Sequence, residues 1–422
     1  MKNKLSIQPI LFLSAIFFLF LFNCSEKEKF CTIKGTVVNT DTKSILLVKP
    51  YEDQRFEEAI EIPVVNGKFE YKIKLDNPEG YTLRLGETRL TGGRYMNVFL
   101  ENEEMNFTIH SSDEFDKNEI LGGKLNAEYN KYKTARINKF GKRLEPLYDS
   151  LGRLYENNDY YSEEMTIVYE KINATKSQEE RVVLLKKRDE LQSSGLDMSN
   201  SAKVINDKMK LINQEQANWS KKYINENESI VSYFLFLTEL KNDSDDIDLR
   251  VAKVQYDKFS TKFKNHPYNN VVFNLINSIE KIKVGEKFID FSAPDLNGEI
   301  VKLSDKINGK IALIDLWATW CGPCISNSRT MVPIYTEFKD KNFTVIGVAG
   351  EFKNTDRLTK FLSKEKFPWI NLVELDRQNS IWEKYGVSMQ GGAIFLVDEN
   401  GRILAIDPTA SEVKNILLDL IG

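Results

Sequence analysis

Between about residues 30 and 115, apolar and polar side chains alternate with a period of two, the repeat of a strand that buries one face. Cys31-Thr32-Ile33-Lys34-Gly35-Thr36-Val37 and Phe69-Glu70-Tyr71-Lys72-Ile73-Lys74-Leu75 show it most plainly. Ser44-Ile45-Leu46-Leu47-Val48, Asn97-Val98-Phe99-Leu100 and Met105-Asn106-Phe107-Thr108-Ile109 continue it. Asn66-Gly67 stands just before the second run, and that dipeptide supplies the positive φ angles of a tight hairpin. The pattern predicts a small all-β domain, a sandwich or partial barrel. From about 120 to 280 the period changes. The stretch is rich in Lys, Glu, Asn and Leu and poor in Gly and Pro. Ser177-Gln178-Glu179-Glu180 resembles a capping box ahead of Val182 to Leu185, and Asn227-Glu228-Ser229 precedes the apolar run Ile230 to Leu240. Several packed helices are predicted, with no internal repeat and no catalytic constellation. From about 282 strands and helices alternate, the pattern of an α/β domain on a central sheet. Strands are predicted at 311–316, 343–348, 394–397 and 403–406, and helices at 323–339, 355–363, 381–385 and 412–420. Asn400-Gly401 turns the chain between the last two strands. The expected division is therefore 1–23 as a signal segment, 24–118 as the β domain, 119–281 as a helical spacer and 282–422 as the α/β domain.

The N-terminus reads as a targeting segment. Lys2 and Lys4 precede the apolar run Leu11 to Phe22, which is short for a membrane span and fits the core of a signal peptide. Cys24 follows it directly. This arrangement resembles a bacterial lipoprotein signal, which implies lipidation at Cys24 and a membrane anchor. A plain secretory peptide or an uncleaved signal anchor shares the same charge and length, and all three export the chain. The run Ile230 to Leu237 is too short to cross a bilayer and reads as a buried helix.

Composition narrows the chemistry. The chain has 422 residues, 41% hydrophobic and 28% charged, which suits folded domains rather than disorder. A net charge of −4 offers no global field for nucleic acid. The 2 histidines, His110 and His266, remove most routes to a histidine base or a histidine metal site. The 4 cysteines fall in two groups: Cys24 and Cys31 near the start, Cys321 and Cys324 far downstream. A structural disulfide framework would spread them through the fold.

Cys321-Gly322-Pro323-Cys324 follows a buried strand and opens a helix. There the first thiol meets unpaired backbone N–H groups and the positive end of the helix dipole, which favour its thiolate, the nucleophile of disulfide exchange. The second cysteine lies within the first turn, close enough to close a short disulfide. Pro323 is tolerated early in a helix because no intrahelical N–H is needed there. A structural zinc site would need about four ligands, and no second pair exists. A purely structural bridge would close too small a loop to stabilise much.

The run Asp315-Leu316-Trp317-Ala318-Thr319-Trp320-Cys321-Gly322-Pro323-Cys324 resembles the thioredoxin superfamily. Val284-Gly285-Glu286-Lys287-Phe288, Asp290 to Gly298, Tyr385-Gly386-Val387, Phe395 to Asp398 and Asn400 to Ile403 are similar to the exported TlpA/ResA group within it. The resemblance spans about the last 140 residues. The β domain and helical spacer look like those found ahead of such domains in some Gram-negative lipoproteins. The resemblance implies a periplasm-facing thiol:disulfide oxidoreductase that reduces or isomerises disulfides of exported proteins, fed by a membrane or periplasmic electron donor. It calls for no cofactor and no metal. It makes Cys321 the attacking thiol, Cys324 the resolving thiol and the pair a redox-active disulfide. It makes Asp315 a buried acid beneath the dithiol, its pKa raised by burial so that it can take the Cys324 proton. Trp317 and Trp320 read first as packing residues, and Trp320 is also a candidate substrate contact.

The chain departs from the group at three places. Asn327 stands where many members carry a glutamate, which leaves Asp315 as the nearby acid. The proline usual after the dithiol is displaced to Pro333. In the loop Ser388 to Ala393, Gly391 or Gly392 takes the place of a cis-proline. A cis bond before a non-proline residue costs about 2.5–4 kcal/mol, so trans peptides are expected, with the glycines beside Cys321 as a substrate-binding edge. A peroxidase of the peroxiredoxin type would need a Pro-x-x-x-Thr-x-x-Cys arrangement, which neither Cys321 nor Cys324 has. A reading from another class is an envelope binding or scaffold lipoprotein with secondary redox activity, against which the intact dithiol argues.

Overall fold

The computed structural model describes residues 29–52, 59–86, 94–242, 247–387 and 391–422. The signal segment with Cys24, and Ser388 to Gln390, lie outside the described residues.

The first part is a β-sandwich. Its strands are β1 (Phe30–Val38), β2 (Ser44–Val48), β3 (Ile60–Pro63), β4 (Lys68–Lys74), β5 (Glu79–Leu85), β6 (Met96–Leu100), β7 (Glu104–His110) and β8 (Glu119–Leu121). They form two four-stranded sheets, ordered β4-β1-β7-β8 and β3-β2-β5-β6. β1 runs antiparallel to β4 and parallel to β7, with Ile33 opposite Tyr71 on one side and Met105 on the other. That register turns the alternation inward: Ile33, Phe69, Met105 and Phe107 of one sheet meet Ile45, Leu47, Leu83 and Val98 of the other in one apolar core. β5 was not legible as a strand. It carries a buried carboxyl group, Glu79, which accepts a 2.6 Å hydrogen bond from Tyr51 Oη and meets Lys49 Nζ at 3.3 Å.

Among the described residues eight α-helices follow: α1 (Lys124–Arg136), α2 (Lys142–Glu156), α3 (Glu163–Ala174), α4 (Gln178–Ser193), α5 (Asn200–Glu226), α6 (Ile230–Asn242), α7 (Leu249–Lys262) and α8 (Tyr268–Lys281). Ser162, Ser177, Ser199 and Asp248 cap four of them through their side-chain oxygens. At Ser177 only half of the predicted capping box forms: Ser177 Oγ accepts the Glu180 N–H, while Thr175 Oγ1 takes the Glu180 carboxylate. The apolar run at α6 is buried, as its length predicted, and it reaches the sandwich. Phe234 lies 5.2 Å from Phe99 of β6, the Gly80 N–H of β5 donates to Tyr268 Oη at 2.9 Å, and Asn126 pairs with both the N–H and the C=O of Phe99. Asn126 thus satisfies backbone groups on the outer edge of β6, which would otherwise be buried unpaired.

The last part holds the hairpin β9 (Ser292–Pro294) and β10 (Ile300–Lys302), then α9 (Leu303–Ile307), β11 (Ile311–Trp317), α10 (Gly322–Phe338), β12 (Phe343–Glu351), α11 (Asp356–Glu365), β13 (Ile370–Leu375), α12 (Ile381–Lys384), β14 (Ala393–Val397), β15 (Ile403–Ile406) and α13 (Ala410–Ile421). The sheet order is β13-β12-β11-β14-β15, with β11 central. β12 runs parallel to β11 and β13, and β14 runs antiparallel to β11. β11 is buried throughout, and its residues divide between two cores. Ile311 and Leu313 pack with Met331 and Phe338 of α10 and Leu417 of α13, whereas Ala312, Ile314 and Leu316 pack with Trp382 and Tyr385. β13 escaped sequence analysis because Asn371 and Glu374 interrupt its apolar run. Both are buried and hydrogen-bonded in the fold.

Candidate active site

Strand β11 ends at Trp317, and Ala318-Thr319-Trp320 leads to Cys321, the N-cap of α10. The Cys321 Sγ accepts the Cys324 N–H at 3.3 Å, so the sulfur sits where the helix presents free donors. Pro323 occupies the first turn, where its missing N–H costs no bond. A disulfide joins Cys321 to Cys324, with Cα atoms 5.3 Å apart. Cys321 is buried and Cys324 half-buried. Cys31 lies in the sandwich core against Met105, and burial pushes its thiol up to about 11, so it stays protonated and unreactive.

The link between strand and dithiol is held from neighbouring elements. Glu351, at the end of β12 and buried, accepts the Thr319 N–H at 2.7 Å and the Thr319 hydroxyl at 2.8 Å. Arg357 of α11 donates to the Thr319 carbonyl at 3.0 Å. Trp320 Nε1 donates to the Gly350 carbonyl at 2.9 Å, and its ring stacks on Phe352 at 5.6 Å. Trp317 is fully buried and donates to Asn371 Oδ1 at 3.0 Å. Sequence reasoning missed Glu351, Arg357 and Phe352. They lie 30 or more residues from Thr319 and Trp320 in the chain, so no local spacing marks them.

Asp315 faces α10 at Ser328 and is 1% exposed. Burial raises its pKa to about 7, the Asp407 carboxylate pushes the same way, and a hydrogen bond from Ser328 opposes both. The Ser328 hydroxyl lies 2.7 Å from Asp315 Oδ2 and 3.0 Å from the Cys324 carbonyl. Sequence analysis also passed over Ser328, although it stands four residues after Cys324 and so on the same helix face.

The loop residues are placed by contact. A Cβ at Gly391 would stand 2.5 Å from Cys321 Sγ and 3.4 Å from Cys324 Sγ, so the backbone lies directly against the disulfide. A Cβ at Gly392 would stand 1.8 Å from the Leu316 carbonyl, so this glycine allows the loop to pass over the end of β11. Of the two alignments open to the sequence, the structure puts Gly391 at the sulfurs. Among the described residues every peptide bond is trans. His266 lies far away in the chain and bonds the Pro78 carbonyl, and among the described residues no cluster of three or more His, Cys, Asp or Glu could hold a metal ion.

Known proteins resemble two stretches of this chain. Residues 284–406 match the AhpC/TSA family, and residues 31–129 match a domain of unknown function, DUF4369. The thiol-disulfide oxidoreductase ResA of Bacillus thuringiensis subsp. konkukian is 30% identical over 128 residues, 30% of this chain and 69% of that protein. ResA of Geobacillus kaustophilus is 31% identical over 134 residues, 32% of this chain and 74% of that protein. Among solved structures, a putative thiol:disulfide interchange protein DsbE from Chlorobium tepidum is 30% identical, covers 33% of this chain and 99% of its own, and superposes with a TM-score of 0.29. The chain belongs to the ResA-like thiol-disulfide oxidoreductases, with a thioredoxin-fold enzyme domain at its C-terminus behind a β domain and a helical region.

Proposed function

We propose that the protein is a periplasm-facing lipoprotein, anchored through Cys24, that reduces or isomerises disulfides of exported proteins with the Cys321/Cys324 dithiol. The Cys321 thiolate attacks a substrate disulfide. One substrate sulfur leaves as a thiolate, and Cys321 is joined to the other in a mixed disulfide. Cys324 then gives its proton to Asp315 and attacks Cys321 Sγ. The Cys321–substrate bond breaks, the Cys321–Cys324 bond forms, and the second substrate thiolate leaves and is protonated. The dithiol has lost two electrons and two protons, and the substrate disulfide has gained them. A membrane or periplasmic electron donor then reduces the enzyme. Gly391 and Trp320 flank the attacking sulfur and serve as substrate contacts, and the Gly-Pro dipeptide shared with thioredoxin favours the reducing direction.

One observation supports this reading: the disulfide sits at the N-terminus of α10, and Ser328 of the same helix bonds both the Cys324 carbonyl and a buried carboxyl group, Asp315, whose pKa is raised to about 7, suited to accept a proton near neutral pH. In an insulin reduction assay, Cys321→Ser abolishes turnover, whereas Cys324→Ser accumulates mixed disulfides. Full activity in Cys321→Ser refutes the mechanism. Cys24→Ala releases the protein from membranes without changing its dithiol chemistry in vitro, and mass spectrometry that finds an intact segment from Met1 to Asn23 in the mature protein refutes the anchor.

A further inference from the structure

The Ser328 hydroxyl has one hydrogen and two acceptors in reach, Asp315 Oδ2 at 2.7 Å and the Cys324 carbonyl at 3.0 Å. It is fully buried, so no solvent competes for either contact. A single hydrogen serves one acceptor at a time. When Asp315 is ionised, that hydrogen points to Oδ2. When Asp315 is protonated, its own O–H donates to Ser328 Oγ, and the serine hydrogen turns to the Cys324 carbonyl. The bond between Ser328 Oγ and Asp315 Oδ2 is thus kept in both states.

We propose that Ser328 is a positioning residue that lets the buried Asp315 take up and release a proton by reversing one hydrogen bond, which is kept in either state. The inference rests on the reading that Asp315 accepts the Cys324 proton, and it names the residue that makes this exchange possible in a dry site. The bond to the Cys324 carbonyl alone has an ordinary explanation, since serines inside helices often bond the carbonyl four residues back. The contact to Asp315 crosses from helix to strand and has no such local cause. Asp315 is surrounded by few other charges among the described residues. β12 presents Gly347 and β14 presents Ile394 at its register positions. Asp407, which accepts the Ile394 N–H at 2.8 Å, is the facing carboxylate. On α10 Ser328 faces it, and Arg329 is held by Glu365. Ser328 therefore supplies the hydrogen bond that the ionised form needs, and Asn327, at the family's usual glutamate position, adds no second acid.

The test uses the reduced mature protein and Ellman's disulfide in stopped flow. One thionitrobenzoate leaves as Cys321 attacks, and a second leaves as Cys324 resolves the mixed disulfide. Both phases are followed from pH 5 to 9. Ser328→Ala moves the midpoint of the second phase up by about one pH unit, about fivefold slower at pH 7, with the first phase unchanged. Ser328→Thr, which keeps the hydroxyl, restores the profile. An unmoved profile in Ser328→Ala, or no restoration by a folded Ser328→Thr, overturns the proposal. If Asp315→Asn slows the second phase but Ser328→Ala does not, only Ser328 loses its role. If Asp315→Asn leaves the second phase untouched, the mechanism and this inference fall together. Should Ser328→Ala fail to fold, the infrared band of protonated Asp315 in the wild-type protein, identified by its loss in Asp315→Asn, replaces the kinetics. A band at the frequency of an acid that donates no hydrogen bond overturns the proposal.

Discussion

Asp315→Asn separates the cost of a buried charge from its use. In the unfolded chain an aspartate titrates at its ordinary value of 3.8, and in the folded protein at about 7. The folded state therefore binds the extra proton between these values, and stability falls as pH rises through that window. Well below pH 3.8 both states are protonated and nothing is lost. Above pH 7 the full difference applies, about 3 pH units at about 1.36 kcal/mol each, or about 4 kcal/mol. Between pH 5 and pH 8 the same relation gives a loss of about 2–3 kcal/mol from this group alone. Asparagine keeps the shape and cannot ionise, so this slope disappears. An unpaired amide N–H of the new side chain costs about 1–3 kcal/mol, but that penalty is the same at both pH values and cancels in the comparison. The assay is denaturant unfolding of the oxidised protein and of oxidised Asp315→Asn at pH 5 and pH 8, followed by tryptophan fluorescence, since Trp317, Trp320, Trp369 and Trp382 lie in the C-terminal domain. The variant gains on the wild type by about 2–3 kcal/mol between pH 5 and pH 8. An equal difference at the two pH values refutes the reasoning, because Asp315 would then not titrate between them.

Gly391→Val drives a side chain into Cys321 Sγ, where even a Cβ would stand at 2.5 Å, and slows both phases of disulfide exchange tenfold or more while far-ultraviolet dichroism is unchanged; unaltered kinetics refute the placement of the loop. Glu351→Gln leaves only one acceptor oxygen for the two Thr319 donors and costs about 1–3 kcal/mol in denaturant unfolding of the C-terminal domain, with Thr319→Val removing the hydroxyl bond alone and costing less. Tyr268→Phe orphans the buried Gly80 N–H and costs about 1–3 kcal/mol, read as loss of hydrogen-exchange protection at the junction of sandwich and helices; retained protection refutes that account.

Several parts of the fold were legible because their cause is local. Alternation at Cys31 to Val37 and Phe69 to Leu75, the Asn66-Gly67 turn, and the apolar run at α6 each follow from the period at which side chains leave the backbone. The dithiol was legible for the same reason: strand, turn, Cys-Gly-Pro-Cys and helix are consecutive in the chain. β5 and β13 were not, because Glu79, Asn371 and Glu374 look like exposed polar residues until partners from elsewhere satisfy them. Ser328 carried a readable signal in its helical spacing from Cys324, yet its meaning depends on Asp315 across the strand.

The sequence alone marked the Cys321/Cys324 pair at a strand-to-helix turn and showed that the chain would pass from strands to helices to an α/β domain. The pairing of β1 with β7 and of Asn126 with the edge of β6 was decided only in three dimensions. So was the choice between Gly391 and Gly392, which differ by one position in a loop that sequence cannot register. Glu351 and Arg357 reach Thr319 from other elements, and Asp407 acts on Asp315 from beyond β15. The physical reason is that hydrogen bonds and burial act over a few ångströms of space, while spacing along the chain constrains only neighbours within a turn or a strand.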